Sequence, residues 1–211
     1  MYPEYSKRER LADGLVHCAG IVFSAAAVSL LMAAAAGKVP LLEMAGLAVY
    51  GAGLIAMFVC SAFYHMVQRG PLKDVLRSLD HAAIFVMIAG SYTPFALGKI
   101  GGQTGYLLFA AVWSIAVLGV VMKLWFPRRF ESLSIGIYLL QGWLIVLALN
   151  PLSSAVSQYS LTLLVLGGVI YTLGVVFHLL QRLPFHNAIW HSFVLTAAIC
   201  HYAAIYDAAL A

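Results

Sequence analysis

The sequence predicts an all-α integral membrane protein, a bundle of seven transmembrane helices with the N-terminus cytoplasmic and the C-terminus outside. Three observations carry this. Hydrophobic residues make up 63% of the 211 and charged residues only 9%, with a mean hydropathy of +0.94, far too apolar for a soluble domain. Seven stretches approach or exceed the roughly 20 apolar residues that cross a hydrocarbon core of about 30 Å. The lysines and arginines fall almost entirely on one side of the alternating loops.

The spans are expected at residues 14–36, 43–67, 80–98, 104–125, 132–149, 160–181 and 187–206. On this division residues 1–13 are a charged cytoplasmic tail and 14–211 a single seven-helix domain, since the connections are too short to hold another. Breakers mark the ends: Gly37 and Pro40, Gly70 and Pro71, Gly98 with Gly101 and Gly102, then Pro127, Pro151 and Pro184. Runs of this length without period-two alternation do not fit a transmembrane barrel. The charged segment from Tyr5 to Arg10, followed by a full-length first span, does not look like a cleavable signal peptide. Cys18, Cys60 and Cys200 sit inside apolar runs with no CxxC spacing and are expected to pack as small hydrophobes. Trp113, Trp125, Trp143 and Trp190 lie toward span ends, as an interfacial belt requires.

Orientation follows from the basic residues. One side carries Lys7, Arg8, Arg10, Arg69, Lys73, Arg77, Lys123, Arg128, Arg129 and Arg182, the other only Lys38 and Lys99. The positive-inside rule then places the N-terminus in the cytoplasm, with the chain multi-pass in a bacterial inner (plasma) membrane. The net charge of +4 is thereby explained as topology, and no nucleic-acid partner is expected.

With that orientation His17, His65, His81, His178, His186 and His191 all come to the cytoplasmic half, and Asp80 opens the third span at the same depth. Only His201 lies deeper, about 15 Å along the axis from His191. Ser61 and His65 are spaced i, i+4 and so share one helix face, about 40° apart. Polar side chains on a lipid-embedded helix are costly and point inward, so Ser61 and His65 are expected in a buried metal site. Zn2+ takes three or four ligands and keeps one position for water in a catalytic site; His65 and His191, from different helices, suit it. Asp80 is a candidate catalytic base that could also bind or orient the metal-bound water, pair with an arginine or serve as the N-cap of the third helix, and Ser61 could hydrogen-bond that water or its own helix backbone. His17 and His178, near helix ends, are expected to be interfacial or hydrogen-bonding residues. His81 projects about 100° from Asp80 and is expected to be structural.

Several motifs carry a resemblance. Ser61-x-x-x-His65, the run Leu79-Asp80-His81-Ala82-Ala83-Ile84 followed by Gly90-Ser91-Tyr92-Thr93-Pro94-Phe95, and Asn187-Ala188-Ile189-Trp190-His191-Ser192-Phe193 resemble the bacterial hemolysin III branch of the progestin and adipoQ receptor family. The match begins at Asp13-Gly14-Leu15-Val16-His17 and spans nearly the whole chain. It implies seven helices, a cytoplasmic N-terminus, and a zinc ion near the cytoplasmic side held by one histidine of helix two and two of helix seven. Adiponectin receptors of that family are linked to ceramide hydrolysis, with an aspartate and a serine around the zinc-bound water.

The sequence departs from the family at position 187, where Asn stands in place of the first histidine of the His-x-x-x-His pattern. The third ligand then falls to His186, Asn187 or His201. His186 is about 140° around a regular helix from His191 and reaches the same ion only if the helix starts irregularly after Pro184. The expected function is a zinc-dependent hydrolase of a lipid amide or ester, ceramidase-like, with membrane lipids as its partners. The alternative is a non-enzymatic, receptor-like or lipid-homeostasis protein with a structural zinc. Membrane lysis lacks an amphipathic inserting segment, and ion transport lacks an inverted repeat and midplane charges.

Overall fold

The computed structural model describes residues 5–67 and 70–211; Arg69, counted above with the basic residues, lies outside the described residues. Among the described residues the secondary structure is entirely helical, and seven helices are long and apolar enough to cross a membrane. They are α1 (Lys7–Ala35), α2 (Leu41–Met66), α3 (Pro71–Ile100), α4 (Gly102–Trp125), α5 (Glu131–Ala155), α6 (Gln158–Leu179) and α7 (His186–Leu210).

The helices reach further into the charged segments than hydropathy indicates, for local reasons. α1 starts at Lys7 because Ser6 and Glu9 form a reciprocal capping box: the Glu9 amide donates to Ser6 Oγ (3.2 Å) and the Ser6 amide to Glu9 Oε2 (2.9 Å). Asp13 is therefore helical and lies one turn before His17. α3 starts at Pro71 behind Gly70, whose φ of +117° suits glycine. Its first turns are held by polar contacts: Lys73 Nζ donates to the carbonyls of Tyr64 and Val67 at the end of α2, and Arg77 pairs with Glu131 of α5 at 2.9 Å. Asp80 thus falls inside α3, not at its start, and is no N-cap.

Two helices change their winding within the bundle. The last turns of α3, Pro94–Ile100, are π-helical. In α5 the segment Leu144–Ala148 is a 3₁₀ turn, where Pro151 cannot donate to the Leu147 carbonyl. The freed backbone finds a side chain: Tyr92 Oη donates to the Gly142 carbonyl (2.7 Å) and accepts from the Ile145 amide (2.9 Å). One turn earlier Gln141, fully buried, donates to the carbonyls of Phe85 in α3 and Val112 in α4.

What positions the site is the placement of α1, which packs against both α2 and α7. Small residues permit the close approach. A Cβ on Gly20 would lie 2.3 Å from the Phe58 ring, and one on Gly51 would lie 2.8 Å from Val28, so α1 and α2 meet where glycine leaves room. The core they share with α7 is aliphatic and aromatic, including Leu31, Leu47, Tyr50, Leu54, Phe58 and Ile205.

Candidate metal centre

Three helices bring four side chains together at the end of the bundle that carries most of the lysines and arginines. α1 supplies Asp13 and His17, one turn apart on one face. α2 supplies His65 in its last turn, with Ser61 one turn before it, and α7 supplies His191 in its second turn. Asp13, His17, Ser61 and His191 are buried, and the His65 side chain is 16% exposed.

One carboxylate sits at the centre of three imidazoles. His191 Nδ1 donates to Asp13 Oδ1 at 2.6 Å. His65 Nδ1 lies 3.4 Å from Asp13 Oδ2, and His17 Nδ1 lies 3.6 Å from Asp13 Oδ1. The rings touch one another: His17 and His191 have centroids 4.3 Å apart, His65 and His191 4.5 Å, and His17 and His65 5.3 Å. His17 Nδ1 also donates to the Asp13 backbone carbonyl (2.8 Å). That fixes the ring proton on Nδ1 and leaves Nε2 as the nitrogen with a lone pair, to which the Ser61 hydroxyl donates (3.1 Å).

Asp13, His17 and His191 present ligand atoms all within 4.8 Å of one another, a group that can hold a metal ion. The donor set is nitrogen and oxygen without thiolate, which suits zinc and other divalent transition metals alike. A tetrahedral zinc with bonds of about 2.0–2.2 Å holds its ligand atoms roughly 3.4 Å apart. The ligand atoms of Asp13, His17 and His191 lie within 4.8 Å of one another, and small side-chain rotations bring them to that spacing, so the residues fit the ion.

The predicted residues divide. Ser61, His65 and His191 come together around His17. Asp80 is buried at the same end of the bundle, close enough for its charge to act on His17, with Oδ2 3.7 Å from His81 Nδ1. His186 is the first residue of α7. The irregular residue there is Phe185 (φ +61°), and the helix is regular from His186 onward, so the 140° offset from His191 stands. Its Nε2 instead faces Tyr5 Oη at 3.3 Å. Asn187, the next residue of the same turn, is partly buried and one helical turn before His191. His201 lies well away, wedged against Gly167, where a Cβ would come within 2.2 Å of the imidazole, and edge-on to Tyr171. Neither His186 nor His201 joins the Asp13 group. Burial pushes the Tyr5 phenol above its ordinary value, so it remains a hydroxyl.

Asp13 and His17 are the members that the sequence reading left out of the site. The signal was present, because Asp13-x-x-x-His17 repeats the i, i+4 spacing of Ser61-x-x-x-His65. Drawing the first span from residue 14 cut that pair in two.

Residues 5–202 match the sequence pattern of the family described as Haemolysin-III related. The chain belongs to this family. Similar haemolysin-III-related proteins include the Hemolysin-3 homolog of Bacillus subtilis (strain 168), 38% identical over 191 residues, covering 90% of each chain. Hemolysin-3 of Bacillus cereus is 35% identical over 188 residues, 89% of this chain and 86% of that one. The human monocyte to macrophage differentiation factor is 32% identical over 167 residues, 75% of this chain and 68% of that one. No solved structure matches the chain. Membership with seven apolar helices makes this a multi-pass membrane protein.

Proposed function

We propose that this haemolysin-III-related protein binds one Zn2+ through His17, His65 and His191, with the Asp13 carboxylate hydrogen-bonded behind His191, and hydrolyses a lipid amide or ester at the cytoplasmic side of a bacterial inner membrane. The observation that carries the reading is the buried carboxylate ringed by three imidazoles from three helices. Orientation rests on the basic residues, which favour that end as cytoplasmic.

When bound, zinc would polarise a carbonyl oxygen and acidify a coordinated water. The chain's own groups have separable tasks. His17 Nε2, His65 and His191 hold neutral imidazole lone pairs toward the centre, and the Asp13 carboxylate balances charge and fixes His191 through its N–H. The Ser61 hydroxyl, one turn from His65, turns from His17 to an incoming oxygen. Asp80, a carboxylate buried beside the site, takes the proton at Oδ1 or Oδ2 and returns it to the leaving group.

A second reading is favoured by the same three-helix arrangement. Ligands on α1, α2 and α7 tie the first helix to both of its neighbours, so zinc can serve structure alone, in a receptor-like or lipid-homeostasis protein. The experiment that separates the readings uses purified full-length protein with zinc measured by elemental analysis and fatty-acid release measured on an N-acyl sphingoid lipid. One zinc per chain is expected, lost in His65→Ala and His191→Ala. Release that disappears in Asp80→Asn with zinc retained supports hydrolysis; zinc without any release leaves the structural reading; no zinc in wild type removes both.

A further inference from the structure

His186 is left unexplained by the centre itself. It is 5% exposed, and its Nδ1 is buried with no hydrogen-bond partner among the described residues. Its other nitrogen is committed to Tyr5 at 3.3 Å. The carboxylates of Glu9 and Asp13 both act on it electrostatically. Glu9 also pins the N-terminal segment to the start of α7, since its Oε1 accepts from the Phe185 amide (3.1 Å) while its Oε2 caps α1. Tyr5, Glu9 and His186 thus form one contact over the end of the bundle where the Asp13 group lies.

We propose that His186 is a loading ligand, a single-imidazole way station that passes zinc between solvent and the group of Asp13, His17, His65 and His191. This rests on the metal reading above. Four features point to it. A buried, unpartnered imidazole nitrogen offers its lone pair to a cation, not to an anion. A metal-bound histidine keeps its second nitrogen as a donor to an oriented oxygen, and the Tyr5 contact supplies this: metal on Nδ1 leaves the proton on Nε2, which donates to Tyr5 Oη. His186 and His191 are five residues apart on a regular helix, about 7.5 Å of axial rise. They are too far apart to share one ion, yet both stand in the first two turns of α7, at the end of the bundle that holds the Asp13 group. Finally, both oxygens of Glu9 are already occupied by amides, so the station offers one strong ligand and holds metal only in passing.

The test is kinetic and uses full-length protein in detergent. Zinc uptake by metal-free protein from a chromophoric chelator, and release to an excess of a stronger one, are followed with time beside the equilibrium zinc content. In His186→Ala both rates are expected to fall by about tenfold, with content and affinity unchanged. His186→Gln keeps an amide within reach of Tyr5 but lacks the imidazole, and is expected to be equally slow. Tyr5→Phe is expected to slow exchange by a smaller factor. Wild-type rates in both His186 variants overturn the proposal, and so do wild-type rates in His186→Gln alone, which would assign His186 to holding the segment. Zinc content lost in His186→Ala also overturns it, by making His186 a permanent ligand. A wild type that binds no zinc removes the metal reading along with it.

Discussion

Replacing Asp13 by asparagine is the sharpest perturbation of the centre, because one carboxylate serves three imidazoles at 2.6, 3.4 and 3.6 Å. The amide keeps the shape and removes the charge. It also turns one acceptor oxygen into a donor that faces imidazole N–H groups. The bond from His191 is a buried, charge-assisted one, and such bonds contribute about 1.5–3 kcal/mol. At roughly 2–4 °C per kcal/mol for a chain of this size, Asp13→Asn should lower the melting temperature of metal-free protein by about 3–12 °C. Zinc affinity should fall by at least about 10–100-fold, the usual cost of losing even an outer partner of a ligating histidine. Thermal unfolding in detergent with a chelator present, beside a zinc titration, measures the two effects separately. An Asp13→Asn protein that melts within a degree of wild type and binds zinc equally would refute the central role given to this carboxylate.

Other substitutions probe its surroundings. Ser61→Ala removes the hydroxyl on His17 Nε2 and should cost about 1 kcal/mol with zinc retained on elemental analysis. Gly20→Val drives a side chain into the Phe58 ring, already within 2.3 Å of a Cβ. It should destabilise by about 1–3 kcal/mol and, by parting α1 from α2, reduce zinc content. Gln141→Leu unties the Phe85 and Val112 carbonyls far from the centre; unfolding should show a loss of about 0.6–1.7 kcal/mol with zinc unchanged. Labelling of a cysteine placed at Lys7 by a membrane-impermeant reagent should require broken cells, and labelling of intact cells would reverse the orientation.

The seven helices were legible because a twenty-residue apolar run has few alternatives in a chain this hydrophobic. Their ends were not, since hydropathy is blind to what makes charged residues helical: the Ser6 and Glu9 capping box, the Lys73 contacts to α2, the Arg77 pair with Glu131. That blindness carried into the site. Asp80 was expected at a helix start and lies inside α3, while Asp13 was assigned to a tail and lies at the heart of the cluster. His65 and His191 could be found from depth and spacing alone. That α1 stands between α2 and α7 is a tertiary fact with no local signature, so His17 passed as an interfacial residue. At position 187 spacing alone kept three substitutes open; the regular start of α7 keeps His186 off the His191 face, and packing against Gly167 holds His201 away.

Asp13 and His191 are 178 residues apart, on the first helix and the last. Domains fold as they are synthesised, N-terminal parts first, so α1 enters the bilayer carrying a carboxylate and an imidazole whose main partners are not yet made. Until α7 arrives His17 has Asp13 of its own helix, and then Ser61 and the His65 ring once α2 is in place. On the proposed reading, metal acquisition is therefore a late event of biogenesis. A chain truncated anywhere before α7 would insert with its centre open, and zinc content would report complete assembly.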